Sequence, residues 1–311
     1  AHLMLCAFCP LFVMSILAVP QLIKLNSETS YNQVSSAAKH AISSVNVFFS
    51  DYVSSDQKFS KNPTFQVLLK PENFEGMGEF SPEVQQANLL LKQQVAGVSE
   101  LDACMIVDRY DIVRASSFSQ FVGRNFSKDY VDKGSVGQDP IISTRQVAGA
   151  LVGMPWNHDS VLVSVPIFQN RIIVGRLVCF YDVGHIKKAA LSASDENAAV
   201  AVFDQRAGLV ADGTGLLSPA VLAAPTGQEI TDQFKKLENN ADNNVRFSIK
   251  INDKKYECVV QNTGSSNWSV LALADQSLMR FPIYRTLIIL LIAGAMCMVI
   301  AYWAAQKILE R

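Results

Sequence analysis

The sequence is short of several things, and each shortage removes a class of function. Net charge is nearly absent: 27 Lys and Arg stand against 28 Asp and Glu, a formal −1. Composition therefore offers no basic surface for nucleic acid. The six cysteines and four histidines form no grouping with zinc-ligand spacing. A phosphate-cradling glycine loop is missing, and so is any placement of nucleophile, base and orienting acid that would announce a triad. Glycine and proline are absent between residues 21 and 62, and charge is absent from 287 to 305. These last two gaps are the ones around which the chain is organised.

The apolar excess sits at the two ends. Residues 3–19 are apolar apart from Pro10 and Ser15, and residues 287–305 form the charge-free run. A bilayer core of about 30 Å takes about 20 apolar residues in helical form. The second run fits this well; the first is shorter, and Pro10 is expected to kink it. A cleaved signal peptide competes as the reading of the first run. No small-residue cleavage site follows it, however, and a helical pattern continues directly, so an uncleaved anchor is expected. Ala1 is not an initiator and Lys307-Ile308-Leu309-Glu310-Arg311 resembles a helix cut in mid-run, so a longer protein with an output domain past Arg311 is expected.

Cys6, Cys9 and Cys297 lie within the apolar ends, while Cys104, Cys179 and Cys258 lie in strand-like runs between them. Three is an odd number, so no closed disulfide framework forms from this set, and buried thiols are the expected state.

Between 21 and 59, Val34, Ala38, Ala41, Val45, Phe48 and Tyr52 repeat at helical spacing, with Ala37, Ile42 and Phe49 beside them. A helix of some 35 residues, about 50 Å long, is expected. Prolines and glycines break 59–82 into short helical pieces and loop. Ser81-Pro82-Glu83 then opens a helix as N-cap, first-turn proline and first-turn acid, with Gly97 as its stop. Short strands follow at 101–107 and 111–116 around the turn Asp108-Arg109-Tyr110-Asp111. A polar stretch at 123–137 comes next, then a further strand pair within 141–152. The hairpin at 160–182 has its turn at Gln169-Asn170, with Gly175 marking a bulge or close backbone approach. A second unit starts near Ala198: strand, aspartate, turn and strand recur at 200–211. Loop or short helix follows at 218–227, helix at 229–237, a hairpin across Asn252-Asp253-Lys254-Lys255, and a last strand at 268–274.

The motifs Met105-Ile106-Val107-Asp108, Ile112-Val113-Arg114-Ala115-Ser116 and Gly123-Arg124-Asn125-Phe126-Ser127 with Tyr130 stand in a telling order. Val163-Ser164-Val165-Pro166-Ile167 and Val174-Gly175-Arg176-Leu177-Val178 with Asp182 come next. Val202-Phe203-Asp204 with Gly208, and Trp268-Ser269-Val270-Leu271, follow. Together they resemble the double Cache sensory domain of bacterial transmembrane receptors: chemotaxis receptors, sensor kinases and diguanylate cyclases. The resemblance implies an α+β fold, a long N-terminal helix with two PAS-like antiparallel-sheet units flanked by two transmembrane helices. The expected divisions are 1–22 for the first span, 23–60 for the signalling helix and 61–192 for the membrane-distal unit. The membrane-proximal unit takes 193–280, the second span 281–306, and the start of a cytoplasmic region 307–311.

The resemblance also implies where ligand binds, in the membrane-distal unit. Relatives that take amino acids hold the carboxylate with an Arg-x-aromatic-aromatic run; here the matching run is Lys128-Asp129-Tyr130-Val131, with lysine for arginine and one aromatic missing. Lysine is a point charge, not a two-pronged fork, so amino-acid specificity is not carried over. Asp182 matches the acidic residue that takes an ammonium group; it is either a pocket carboxylate or a solvated strand end. Tyr130 is a pocket aromatic or core, Lys128 a ligand cation or a solvated residue, and Trp156 a pocket wall or a cap on the sheet. Ser143 and Arg145 lie on the expected third strand, where alternation turns about half of the side chains outward. His158 with Asp159 reads as a turn pair, since no nucleophile accompanies it.

The expectation is a sensor, not an enzyme: a two-pass inner-membrane protein whose central domain is extracytoplasmic and passes a signal through the second span. The expected partners are a small-molecule ligand, with amino acids or carboxylates as candidate classes, the membrane, and a second copy of the chain. No cofactor, metal or nucleic acid is expected. A ligand-free spacer or dimerisation ectodomain is the first rival, and an extracytoplasmic enzyme the second. Lys24, Arg280 and Arg285 on one side and Lys307 and Arg311 on the other leave orientation to the resemblance alone.

Overall fold

The computed structural model describes residues 2–70, 81–126, 139–146, 156–194, 198–238, 244–264 and 268–277, with scattered positions between 285 and 307. The expected spans 1–22 and 281–306 fall for the most part outside the described residues or side chains. Among the described residues no helix is long and apolar enough to cross a membrane.

Helix α1 (His2–Phe59) runs for 58 residues without a break in its assignment, through Pro10 and onward. It is longer than the 35 residues expected from the periodic stretch alone. Val34, Ala38, Ala41, Val45 and Phe49 are its buried stripe, spaced by three and four so that they stack on one face. Asn62 caps the next helix, α2 (Pro63–Leu68), by accepting from the Thr64 amide. Ser81 does the same for α3 (Pro82–Gly97), accepting from Val84 with proline at the first turn and Glu83 beside it, as the sequence indicates.

Two five-stranded antiparallel sheets follow. The first contains β1 (Leu101–Asp108), β2 (Val113–Ser116), β3 (Ile141–Gln146), β4 (Ser160–Gln169) and β5 (Ile172–Asp182), in the order β2-β1-β5-β4-β3. Helix α4 (Gly184–Ala193) leads to the second sheet. This is built from β6 (Ala199–Phe203), β7 (Leu209–Asp212), β8 (Asn244–Ile251), β9 (Lys254–Asn262) and β10 (Ser269–Asp275), in the order β7-β6-β10-β9-β8. Helices α5 (Pro219–Ala223) and α6 (Pro225–Glu238) fill the stretch between β7 and β8. Of the strand pair expected within 141–152, β3 is observed and 147–152 lies outside the described residues.

The repeat between the sheets extends to single hydrogen bonds. Asp108 Oδ1 accepts from the Tyr110 and Ile112 amides at 2.7 and 3.0 Å. Asp204 Oδ1 accepts from Arg206 and Gly208 at 2.9 and 2.8 Å. The residue three after each aspartate, Asp111 or Ala207, has φ near +60°. An aspartate that satisfies its own turn amides is the local reason the chain reverses at both places. Both hairpins β4–β5 and β8–β9 close on two residues with positive φ, Asn170-Arg171 and Asn252-Asp253. That is the turn whose twist matches the strands, and it places the first turn one residue beyond Gln169-Asn170.

Helix α1 carries the core of both sheets. Phe49 meets Trp268 at the start of β10 with ring centroids 4.9 Å apart, while Tyr52, three residues on, meets Tyr181 of β5 at 4.2 Å. One apolar cluster accordingly contains residues of α1, β1, β4, β5, β6 and β10. A second cluster lies between the second sheet and α5–α6. A third covers the face of the first sheet turned away from α1.

Candidate functional site: the outer face of the first sheet

Strand alternation sorts β5 into two faces. Leu177, Cys179 and Tyr181 pack toward α1, so Val178 and Phe180 belong to the outer face, and Asp182 continues that outer series. Ala103, Met105 and Val107 of β1 and Leu162 of β4 complete an apolar floor, with Phe121 and Phe126 beside it. Trp156 stands over this floor, 5.8 Å from Phe180 and 6.1 Å from Phe118 between ring centroids. The indole therefore packs over this face of the sheet.

The polar groups collect at one end. Asp182 has 37% of its side chain exposed, and its Oδ1 accepts from the Gly184 amide at 2.7 Å. It is thus half-solvated and also fixes the entry to α4. His158 Nε2 lies 2.9 Å from Asp102 Oδ2 and 3.9 Å from Asp182 Oδ1. His158 therefore joins Asp102 across the sheet end, where the sequence suggested a turn pair with Asp159. Burial raises the Asp102 carboxyl pKa, and the contact with His158 opposes that rise. Asp102 reaches this position because β1 carries a bulge: Leu101 pairs with Tyr181 and Ala103 with Phe180, leaving Asp102 as the extra residue. Bulges re-aim side chains in this way and leave no mark in the sequence, so Asp102 was not among the expected site residues.

At the other end Arg176 donates from Nε to Ser164 Oγ at 2.7 Å, and from Nη2 to the carbonyls of Ser164 and Asp139. Burial lowers its pKa. At about 3.3 Å per residue, six residues separate Arg176 from Asp182 by about 20 Å. The two cannot hold the charged ends of one amino-acid backbone.

The remaining expected residues divide. Ser143 is buried; its Oγ accepts from the Leu162 amide at 3.1 Å and donates to the Thr144 carbonyl at 2.7 Å. The β3–β4 register skips between Ile142 and Arg145, so this hydroxyl replaces a missing ladder partner and acts within the sheet. Arg145 pairs in register with Val161, and its side chain lies outside the described residues. Lys128 and Tyr130 also lie outside them.

Among the described residues, no group of three or more His, Cys, Asp and Glu is placed to hold a metal ion. An open groove of about 470 Å³ lies on the other side of the sheet, between Phe48 and Tyr52 of α1 and His185, Ile186 and Ala189 of α4. His185 there pairs with Glu100 at 3.2 Å.

Two five-stranded antiparallel sheets of one order, bridged by a long N-terminal helix, are the arrangement that the double Cache resemblance implies, so that resemblance holds at the level of fold. Solved structures agree. The ligand-binding domain of the Campylobacter jejuni chemoreceptor Tlp3 in complex with L-norvaline has a TM-score of 0.61 at 17% identity, covering 84% of this chain and 96% of that one. The sensor domain of the V. cholerae histidine kinase DctB gives 0.52 at 15%, covering 82% and 98%. The ligand-binding domain of Mlp24 with asparagine gives 0.51 at 12%, covering 82% and 97%. No family model matches the chain, and no curated protein matches it either.

Proposed function

We propose that this chain is the sensory portion of a two-pass membrane receptor and that it binds a small extracytoplasmic solute on the outer face of the first sheet. The observation that carries the reading is the composition of that face: an apolar floor walled by Trp156, with Asp182 and the Asp102–His158 pair at one end. Apolar surface with a few convergent polar groups is the make-up of small-molecule sites. Carboxylates at one end favour a solute with a positive group and an apolar body. Tlp3 with isoleucine and Mlp24 with asparagine are structures of this fold, so free amino acids are the first solutes to screen. The central domain lies outside the membrane, the signal leaves through the second span, and an output domain follows it. The chain itself carries no catalysis.

The test is a thermal-shift screen against amino acids and related cations, followed by calorimetric titration of the best solute into the parent and Asp182→Asn. A solute at 100 times its dissociation constant adds about 2.7 kcal/mol of stability. Losing a charged hydrogen bond costs about 1.5–3 kcal/mol, or roughly one to two decades of affinity. The expected result is that loss, with a melting temperature lowered only slightly, because the amide oxygen of the substituted side chain still accepts from the Gly184 amide. Unchanged affinity removes Asp182 from the site and leaves the groove beside His185 as the place to look.

A further inference from the structure

We propose that Cys104 and Cys179 are a disulfide-forming pair that staples β1 to β5. The two residues face each other directly in the β1–β5 register, and their sulfurs are 3.0 Å apart. A disulfide needs 2.03–2.05 Å between sulfurs, so closing the bond asks for about one further ångström. The backbone is already set for it. The Cys104 carbonyl accepts from the Ser117 amide, and the Cys104 amide donates to Ser117 Oγ. Both main-chain groups of Cys104 are therefore turned toward β2. The Cys104–Cys179 pair is consequently the non-hydrogen-bonded kind, in which antiparallel Cα atoms approach to about 4.5 Å and side chains lie closest. That separation falls within the range disulfides use.

The fold itself does not ask for sulfur here. In the second sheet the equivalent carbonyl is that of Val200, which accepts from the Gly213 amide, and Val200 pairs with Ala272. Valine and alanine thus fill the position that the first sheet gives to two cysteines. Cys258 lies in a different cluster and serves as an internal control.

The chemistry is thiol–disulfide exchange with a small-molecule disulfide as oxidant. The sulfur–sulfur bond of the oxidant breaks, one forms between Cys104 and Cys179, and the two thiol protons leave on the two small thiols released. Both cysteines are fully buried in the folded chain, so the exchange belongs to folding, before α1 closes over the sheet. The consequence reaches α1, because the Cys179 thiol and the Tyr181 hydroxyl are the groups beside Asp56 that favour its ionised form. Bond formation removes the thiol and leaves the hydroxyl.

The experiment uses the full chain, solubilised in detergent, unfolded, reduced, and refolded either with a glutathione redox mixture or with dithiothreitol. The folded fraction is then denatured in iodoacetamide and mapped by mass spectrometry. In the glutathione arm the expected result is one linked Cys104–Cys179 peptide pair, two hydrogens lighter than the sum of its reduced peptides, with Cys258 alkylated. That arm should also melt several degrees above the dithiothreitol arm. The double variant Cys104→Val/Cys179→Ala, which installs the pair of the second sheet, should fold in both arms and melt at one temperature. Recovery of Cys104 or Cys179 alkylated from the glutathione arm, or linked to another cysteine, overturns the proposal. An equal melting difference between the arms for parent and double variant overturns it as well.

Discussion

Asp56 lies on the buried side of α1 with no exposed surface. The Tyr181 hydroxyl donates to its Oδ1 at 2.9 Å, and Oδ2 is buried without a hydrogen-bond partner among the described groups. Burial raises its pKa from 3.8 to about 7, against the opposing pull of Tyr181 and Cys179. Between those two values the folded chain binds a proton that the unfolded chain has released, so stability falls as pH rises through that window. About three units at 1.36 kcal/mol each put the full penalty at about 4 kcal/mol, reached above pH 7. Asp56→Asn keeps the acceptor for Tyr181 and removes the ionisation. Its urea midpoint should match that of the parent near pH 4 and exceed it increasingly toward pH 8. Parallel pH profiles for the two proteins would show that Asp56 does not titrate in this window. Sequence reading did not single out Asp56, although it falls one turn beyond Tyr52 on the stripe Val45, Phe49, Tyr52. An ionisable letter on an apolar stripe looks like the end of the stripe unless the tyrosine that answers it is already placed, and Tyr181 is 125 positions away.

At the scale of elements, much was legible because local chemistry and burial agree. The Ser81-Pro82-Glu83 opening, the alternation of β4 and the stripe of α1 each state one structure twice, once in propensity and once in pattern. What was missed depends on pairing. The β1 bulge that re-aims Asp102 and the β3 skip that engages Ser143 are register events, decided between strands rather than within one. Gly175 is an intermediate case. Its place inside a strand pointed to a bulge or a close approach, and the structure shows both: the β4–β5 register slips beside it, between Ile167 and Phe168, and a Cβ there would lie 2.5 Å from the Val107 carbonyl oxygen and 2.8 Å from Leu69 Cδ1. The leucine can move, but the carbonyl belongs to the neighbouring strand and cannot without shifting β1 against β5. Gly175→Ala should therefore destabilise the chain by about 1–3 kcal/mol, the usual range for overpacking. Chemical denaturation with an unchanged slope is the measurement; a midpoint equal to that of the parent would mean that the strands separate here without resistance.

At the scale of the whole molecule, the question is how an event on the outer face of the first sheet could reach the rest. Asp182 and the floor around Phe180 lie on one side of β5, and Tyr181, between them in sequence, lies on the other side against Tyr52 and Asp56 of α1. Three residues before Tyr52, Phe49 meets Trp268 of the second sheet. The route from the outer face of the first sheet to the second sheet is thus one strand thick and one helical turn long. A solute transmits along it only if it binds one arrangement of β5 and α1 better than another. Trp268 is fully buried, and its indole nitrogen has no hydrogen-bond partner among the described groups, so its emission should respond to small changes in the packing of Phe49. A chain carrying Trp156→Phe and Trp303→Phe retains Trp268 as its sole tryptophan, away from the outer face of the first sheet; because Trp156 belongs to the proposed site, calorimetric binding is measured on this same variant. Saturation with the solute found in the screen should shift the intensity or wavelength of that emission, with the same midpoint as calorimetric binding. Asp182→Asn should move both midpoints together. Calorimetric binding without any change at Trp268 would show that α1 and the second sheet do not sense the ligand, and the signal would then have to leave the first sheet by α4 alone.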